Sequence, residues 1–133
     1  MRVGIDATSW WNMRGFGRFV RNVVGRLVEV DRDSTYMLFV DESTAERGGL
    51  PPRALQRIVA VSGSTTGAGG RHPADLIRLS RSVRRADVDV FVFPSLHTYF
   101  PVAKIPTVLG LHDAIADELP DLALGGIQAR LLW

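Results

Sequence analysis

The chain has no cysteine, which excludes disulfide staples, thiolate metal sites and cysteine nucleophiles and leaves a packed core to hold the fold. Lysine is nearly absent. Lys104 is the single lysine among 16 basic residues, and the rest are arginines scattered along the chain rather than gathered into a stripe. With 14 acidic residues the formal charge is only +2, so no nucleic-acid partner is expected. No apolar run approaches the ~20 residues that span a bilayer. The opening Met1-Arg2-Val3-Gly4-Ile5-Asp6 lacks the apolar stretch of a signal peptide, and a cytoplasmic location is expected. Neither a G-x-S-x-G elbow nor a Gly-Lys-Ser/Thr phosphate loop occurs, which argues against a serine hydrolase and a Walker-type NTPase. No set of His, Asp and Glu has metal-ligand spacing, so no metal is expected.

What is present reads as an ordinary globular domain. The 133 residues are 46% hydrophobic and 23% charged, and a chain of this length buries roughly two-thirds of its surface on folding. A short buried strand is predicted over residues 2–6. From Phe16 the apolar residues Phe16, Phe19, Val20, Val23, Val24, Leu27 and Val28 recur at spacings of three and four, which predicts an amphipathic helix ending near residues 31–33. Residues 36–40 form a continuous apolar run, the pattern of a strand buried on both faces of a parallel sheet. Further strands are expected over 56–61, 88–93 and 106–111. A helix opening at Pro73 should run to about residue 86, with Leu76, Ile77, Leu79 and Val83 on its buried side. Another helix is expected from about Leu122, still running at Trp133. Strands alternating with helices imply βαβ units, hence an α/β, Rossmann-like three-layer domain with a mostly parallel sheet. In such a sheet, ligands bind along the edge formed by the carboxyl ends of the strands.

Three segments fall on that edge. Arg14-Gly15-Phe16-Gly17-Arg18 opens the first helix, where free N–H groups and the helix dipole favour an anion and Arg14 and Arg18 add charge. The same glycines could serve merely to turn the chain tightly into the helix. His112-Asp113 closes the fifth strand, where a histidine beside an acid can bind or orient a hydroxyl or shuttle a proton. It could equally be satisfied by backbone. His97 and Tyr99 lie in a proline-bounded loop, and Trp10 and Trp11 precede the glycine turn; each pair could line an acceptor pocket or simply pack. The dinucleotide fingerprint G-x-G-x-x-G fails because Val20 stands at its third glycine. Asp41, ending the second strand where a ribose ligand would sit, keeps an NAD(P)-binding domain open as an alternative.

With these residues in view, the chain resembles the N-terminal domain of a GT-B-fold, family 4-type retaining glycosyltransferase. The resemblance runs through Val3-Gly4-Ile5-Asp6-Ala7, Arg14-Gly15-Phe16-Gly17-Arg18-Phe19, Tyr36-Met37-Leu38-Phe39, Asp89-Val90-Phe91 and Pro94. It is most specific in Ile105-Pro106-Thr107-Val108-Leu109-Gly110-Leu111-His112-Asp113. One departure is Phe16 between the glycines, where a smaller aliphatic residue is more usual.

The resemblance implies that residues 1–133 form one acceptor-side domain and that a donor-binding second domain, carrying the family's paired glutamates, lies outside this chain. It implies transfer of a hexose from a nucleotide-diphosphate sugar to a sugar, lipid or other hydroxyl acceptor, with retained anomeric configuration and no metal or other cofactor. Gly15, Gly17 and Arg18 would face the donor diphosphate. His112, with Asp113, would sit by the transferred sugar and the acceptor. A lipid acceptor would add peripheral membrane contact. The chain alone is expected to be inactive and to bind donor weakly. A third alternative, a non-catalytic sugar- or partner-binding module, would keep the fold and tolerate Gly17→Val.

Overall fold

The computed structural model describes residues 1–13, 15–59 and 72–112. The elements in chain order are β1 (Arg2–Asp6), α1 (Gly15–Val30), β2 (Thr35–Val40), α2 (Glu42–Arg47), β3 (Leu55–Ile58), α3 (Pro73–Arg84), β4 (Val90–Phe93), a 3-10 turn (Leu96–Thr98) and β5 (Thr107–Leu109). The five strands form one sheet in the order β3-β2-β1-β4-β5, and every pairing is parallel. The molecule is thus an α/β, Rossmann-like three-layer domain. The predicted helix from about Leu122 and the catalytic candidate Asp113 lie outside the described residues.

Alternation along the central strands divides the core in two. One face of β1 and β2 presents Val3, Ile5, Leu38 and Val40 to Val20, Val24 and Val28 of α1. The opposite face presents Phe39, Phe91 and Phe93 to Leu79 and Val83 of α3, with Phe100 closing the cluster. Gly4 on β1 points to this second face, and a Cβ there would lie 2.7 Å from the Phe91 ring. The missing side chain lets Phe39 and Phe91, from the strands on either side of β1, meet edge-to-face at 5.2 Å over the central strand. Each fully buried phenylalanine contributes about 1.5–3 kcal/mol of burial, and an edge-to-face pair about 0.5–1.5 kcal/mol more.

The apolar arc of α1 is wider than its contact with the sheet. Val20, Val24 and Val28 are buried, whereas the flanking row Phe19, Val23 and Leu27 stays 39–44% exposed. Both rows repeat every fourth residue, so their spacing alone does not tell which faces the sheet. On α3, Leu79 and Val83 are buried as expected, while Ile77 is exposed. The strand expected over 56–61 is β3, an edge strand with all four residues exposed, and β5 is the other edge.

Sequence patterning missed α2. It has no apolar row, but its ends are signalled: the Asp41 carboxylate accepts from the Thr44 amide at 2.8 Å, Glu42 sits in the first turn, Arg47 in the last, and Gly48 ends the helix at φ +70°. Among the described residues no helix is long and apolar enough to cross a membrane.

Candidate functional site

The strand order reverses between β1 and β4, the neighbours from which the chain departs in opposite directions. A crevice opens at such a switch, outside the carboxyl ends of the strands. The loop after β1 leads into α1, the loop after β4 begins at Pro94, and β5 delivers His112 beside it.

The loop after β1 folds inwards rather than lying on the surface. Asp6 Oδ1 accepts from the Thr8 amide at 3.1 Å and from the Thr8 hydroxyl at 2.8 Å. Two backbone turns follow, Trp10 N–H to the Ala7 carbonyl at 3.0 Å and Asn12 N–H to the Ser9 carbonyl at 2.9 Å. The Arg21 guanidinium reaches back from α1 and donates to the Trp10 carbonyl. Asp6, Thr8, Ser9 and Asn12 are all buried as a result. The loop is a fixed platform from which α1 starts.

The two glycines of α1 differ in kind. A Cβ on Gly17 would stand 2.0 Å from the Asn12 carbonyl oxygen, whereas a Cβ on Gly15 would meet nothing within 4 Å. Gly17 is therefore required by the crossing of the loop over the first helical turn. Tolerance of Gly17→Val, expected above to mark a binding module, reads the fold and not the ligand; Gly15 is the informative position. The first turn of α1 carries no acidic residue, so no acid within that turn offsets the positive end of its dipole. Arg18 is exposed on this turn. Arg14 lies outside the described residues.

His112 sits against Phe19, the residue that follows that turn. Its ring packs edge-to-face on Phe19, with centroids 4.5 Å apart and planes at 79°, and its Nε2 lies 2.8 Å from the Pro94 carbonyl oxygen. Gly110 permits the approach, because a Cβ there would stand 2.5 Å from that oxygen. The Gly110 amide also donates to the Phe93 carbonyl at 2.8 Å, holding the end of β5 to the end of β4. The helix start and His112, separate motifs in the sequence, are thereby neighbours. Phe19, Pro94 and Gly110 were not singled out as site residues. A signal existed for Gly110, a glycine ending a strand just before a candidate functional histidine.

The remaining candidates lie elsewhere. Trp10 is 2% exposed and belongs to the α1-side core. Trp11 is half-buried against the guanidinium of Arg47 at 4.3 Å and that of Arg21 at 5.6 Å. The indole N–H groups of both are buried with no hydrogen-bond partner among the described residues. Trp10, Arg21, Gly25, Val28, Leu50 and Arg53 line a groove of about 470 Å³ on the flank of α1 opposite Phe19. None of Gly15, Gly17 or His112 reaches it. Tyr99 is exposed and packs on Phe93 at 5.2 Å. His97 belongs to the 3-10 turn Leu96–Thr98 in the loop after β4. Asp41, the residue on which the NAD(P) alternative turned, has its carboxylate engaged at the start of α2 by the Thr44 amide and, at 3.2 Å, the Ser43 hydroxyl. Among the described residues no three His, Asp or Glu side chains are grouped to hold a metal. No family model, no curated protein and no solved structure matches the chain.

Proposed function

We propose that the chain is the N-terminal, acceptor-side domain of a nucleotide-sugar-dependent retaining glycosyltransferase of GT-B architecture. The start of α1 would supply half of the donor diphosphate site, and His112 would stand by the transferred sugar and the incoming acceptor hydroxyl. The observation that carries this reading is the packing of His112 on Phe19, which puts a hydrogen-bonding side chain against the N-terminal half of a helix whose first turn carries no acid, at the switch of a parallel sheet. An anion and a polyhydroxyl group joined to it could be met there together.

Magnitudes set what this half-site can do alone. A helix terminus contributes about 0.3–1 kcal/mol to an exposed anion and up to ~2 kcal/mol in a partly buried one, whereas a micromolar complex needs about 8 kcal/mol. In the proposed architecture, tight donor binding, the leaving-group chemistry and the paired glutamates would therefore fall to a second domain. In this reading the donor nucleotide and the hexose would be specified mainly by groups of that second domain, and no metal or other cofactor is proposed. In the full-length protein, His112→Ala is expected to abolish sugar transfer while leaving the unfolding midpoint unchanged. Unaltered transfer by that variant would refute the assignment of His112.

A further inference from the structure

We infer that the groove on the flank of α1 is a binding site for a small aromatic carboxylate, separate from the crevice at the sheet edge. The inference does not rest on the function proposed above, since neither Gly15, Gly17 nor His112 lines the groove.

The walls set the body of the ligand. Val28, Leu50, Pro51 and Pro52 supply apolar surface around about 470 Å³ of space, within the roughly 300–1,000 Å³ of small-molecule sites. Trp10 and the two proline rings suit a flat aromatic body. Gly25 lies inside α1, where glycine is a poor helix former, and a Cβ on it would meet nothing within 4 Å. Packing does not require this glycine. What its missing side chain leaves is open groove.

The polar groups set the charge of the ligand. The Arg21 guanidinium donates to the Trp10 carbonyl and, at 3.5 Å, to the Asn12 carbonyl, and Arg53 donates to the Val28 carbonyl at 3.3 Å. All three bonds use Nη1. Among the described residues Nη2 and Nε of both arginines therefore stay open, and neither has a carboxylate partner. The backbone anchors orient two cations in the groove wall before a ligand arrives. Glu29, the acid among the lining residues, is already paired with Arg26 at 2.7 Å. Trp10, 2% exposed, adds a buried N–H with no acceptor. The side chains of the wall thus offer donors and positive charge and lack a free acceptor. A carboxylate, acceptor-only and matched to the guanidinium fork, complements them.

The test titrates the chain with 2-naphthoate and with its uncharged analogue 2-naphthamide, followed by ¹H–¹⁵N NMR of the backbone amides and the indole N–H groups. 2-Naphthoate is expected to bind with Kd on the order of 1 mM, shifting the Trp10 indole N–H and the amides of Gly25, Val28 and Leu50. 2-Naphthamide should bind about two- to fivefold more weakly, the usual worth of an exposed ion pair. Arg53→Gln should remove that preference and Arg53→Lys should keep it. Gly25→Leu, which fills the open space from the helix, should abolish binding of both probes without lowering the unfolding midpoint. The inference is overturned by no response to 2-naphthoate, by equal affinity for the two probes, by shifts centred on Phe19, Val23 and Leu27, or by undiminished binding in Gly25→Leu. Groove shifts that follow protein concentration without any probe would show a second copy in the groove and would overturn it too. Failure of the proposed function would appear elsewhere, as backbone amides of residues 15–19 indifferent to a nucleotide-diphosphate sugar.

Discussion

Gly17 passes so close to Asn12 that a Cβ on it would stand 2.0 Å from the Asn12 carbonyl oxygen. That carbonyl belongs to the folded loop that Arg21 and two backbone turns hold against the start of α1. One methyl group on Gly17 must move backbone, not a flexible side-chain tip.

Gly17→Ala is therefore expected to destabilise the domain by about 1–3 kcal/mol, the usual range for overpacking. Gly15→Ala, with open space around it, should be neutral or stabilising by up to ~1 kcal/mol through helix propensity. Urea unfolding of the two variants checks the contrast. Equal midpoints would show that the loop yields to the added group. The same pair separates fold from ligand, since any loss of anion binding in Gly15→Ala has no structural cause.

The turn after α1 predicts an acid-dependent contribution to stability. Asp31 accepts the Tyr36 hydroxyl at 2.6 Å and the amides of Asp33 and Ser34. The Tyr36 hydroxyl foremost, with Ser34 and these amides, lowers its carboxyl from 3.8 to about 2. Burial foremost, then the hydrogen bond and charge of Asp31, pushes the Tyr36 hydroxyl from 10.0 up to about 12. A carboxyl depressed in the folded state adds stability above its unfolded value, and that stability is lost as pH falls through the folded value. Tyr36→Phe should therefore destabilise most above about pH 4, and the difference from wild type should shrink towards about pH 2. Urea midpoints of both proteins across that interval provide the check, and a difference independent of pH would exclude this origin. At the alkaline end the sign is reversed. Tyr36 contributes below its unfolded value of 10.0, and the contribution fades as pH rises through about 12.

Two apolar residues should respond very differently to truncation. Phe91 is fully buried among Phe39, Phe93 and Phe100, and Phe91→Ala should cost about 3–5 kcal/mol. Val23, on the exposed row of α1, is 44% exposed, and Val23→Ala should fall within about 0.5 kcal/mol of wild type. A large loss from Val23→Ala in chemical denaturation would mean that this row is covered in the folded protein.

Which parts of the fold were legible follows from which forces are local. β1, β2 and β4 could be read because strands buried on both faces must be apolar along their length. α1 could be read because its valines recur at helical spacing. α2 could not, since its ends are marked by caps and a buried Thr44 rather than by an apolar row, and the Asp41 that caps it also stands where a ribose ligand of the NAD(P) alternative would sit. For Trp10 the sequence leaves both an acceptor pocket and simple packing open, because a loop position carries no burial pattern. The Asp6–Thr8 bond and the Arg21 reach that draw this loop inwards join residues not paired by any pattern. At the site, the residue types and their strand ends were visible. The contact that unites them was not: Phe19 meets His112 only through the β1–β4–β5 pairing and the space at Gly110.

The claim that the start of α1 and His112 form one half of a nucleotide-sugar site is tested most directly by ¹H–¹⁵N amide NMR of the chain titrated separately with UDP-glucose, GDP-mannose and NAD⁺. Weak binding, with Kd on the order of 1 mM, by at least one nucleotide sugar is predicted, its shifts centred on Gly15, Gly17, Arg18, Phe19 and His112, and no response to NAD⁺. Shifts centred instead on the Trp10–Arg53 groove, nanomolar affinity, a response confined to NAD⁺, or no response at those amides would contradict it.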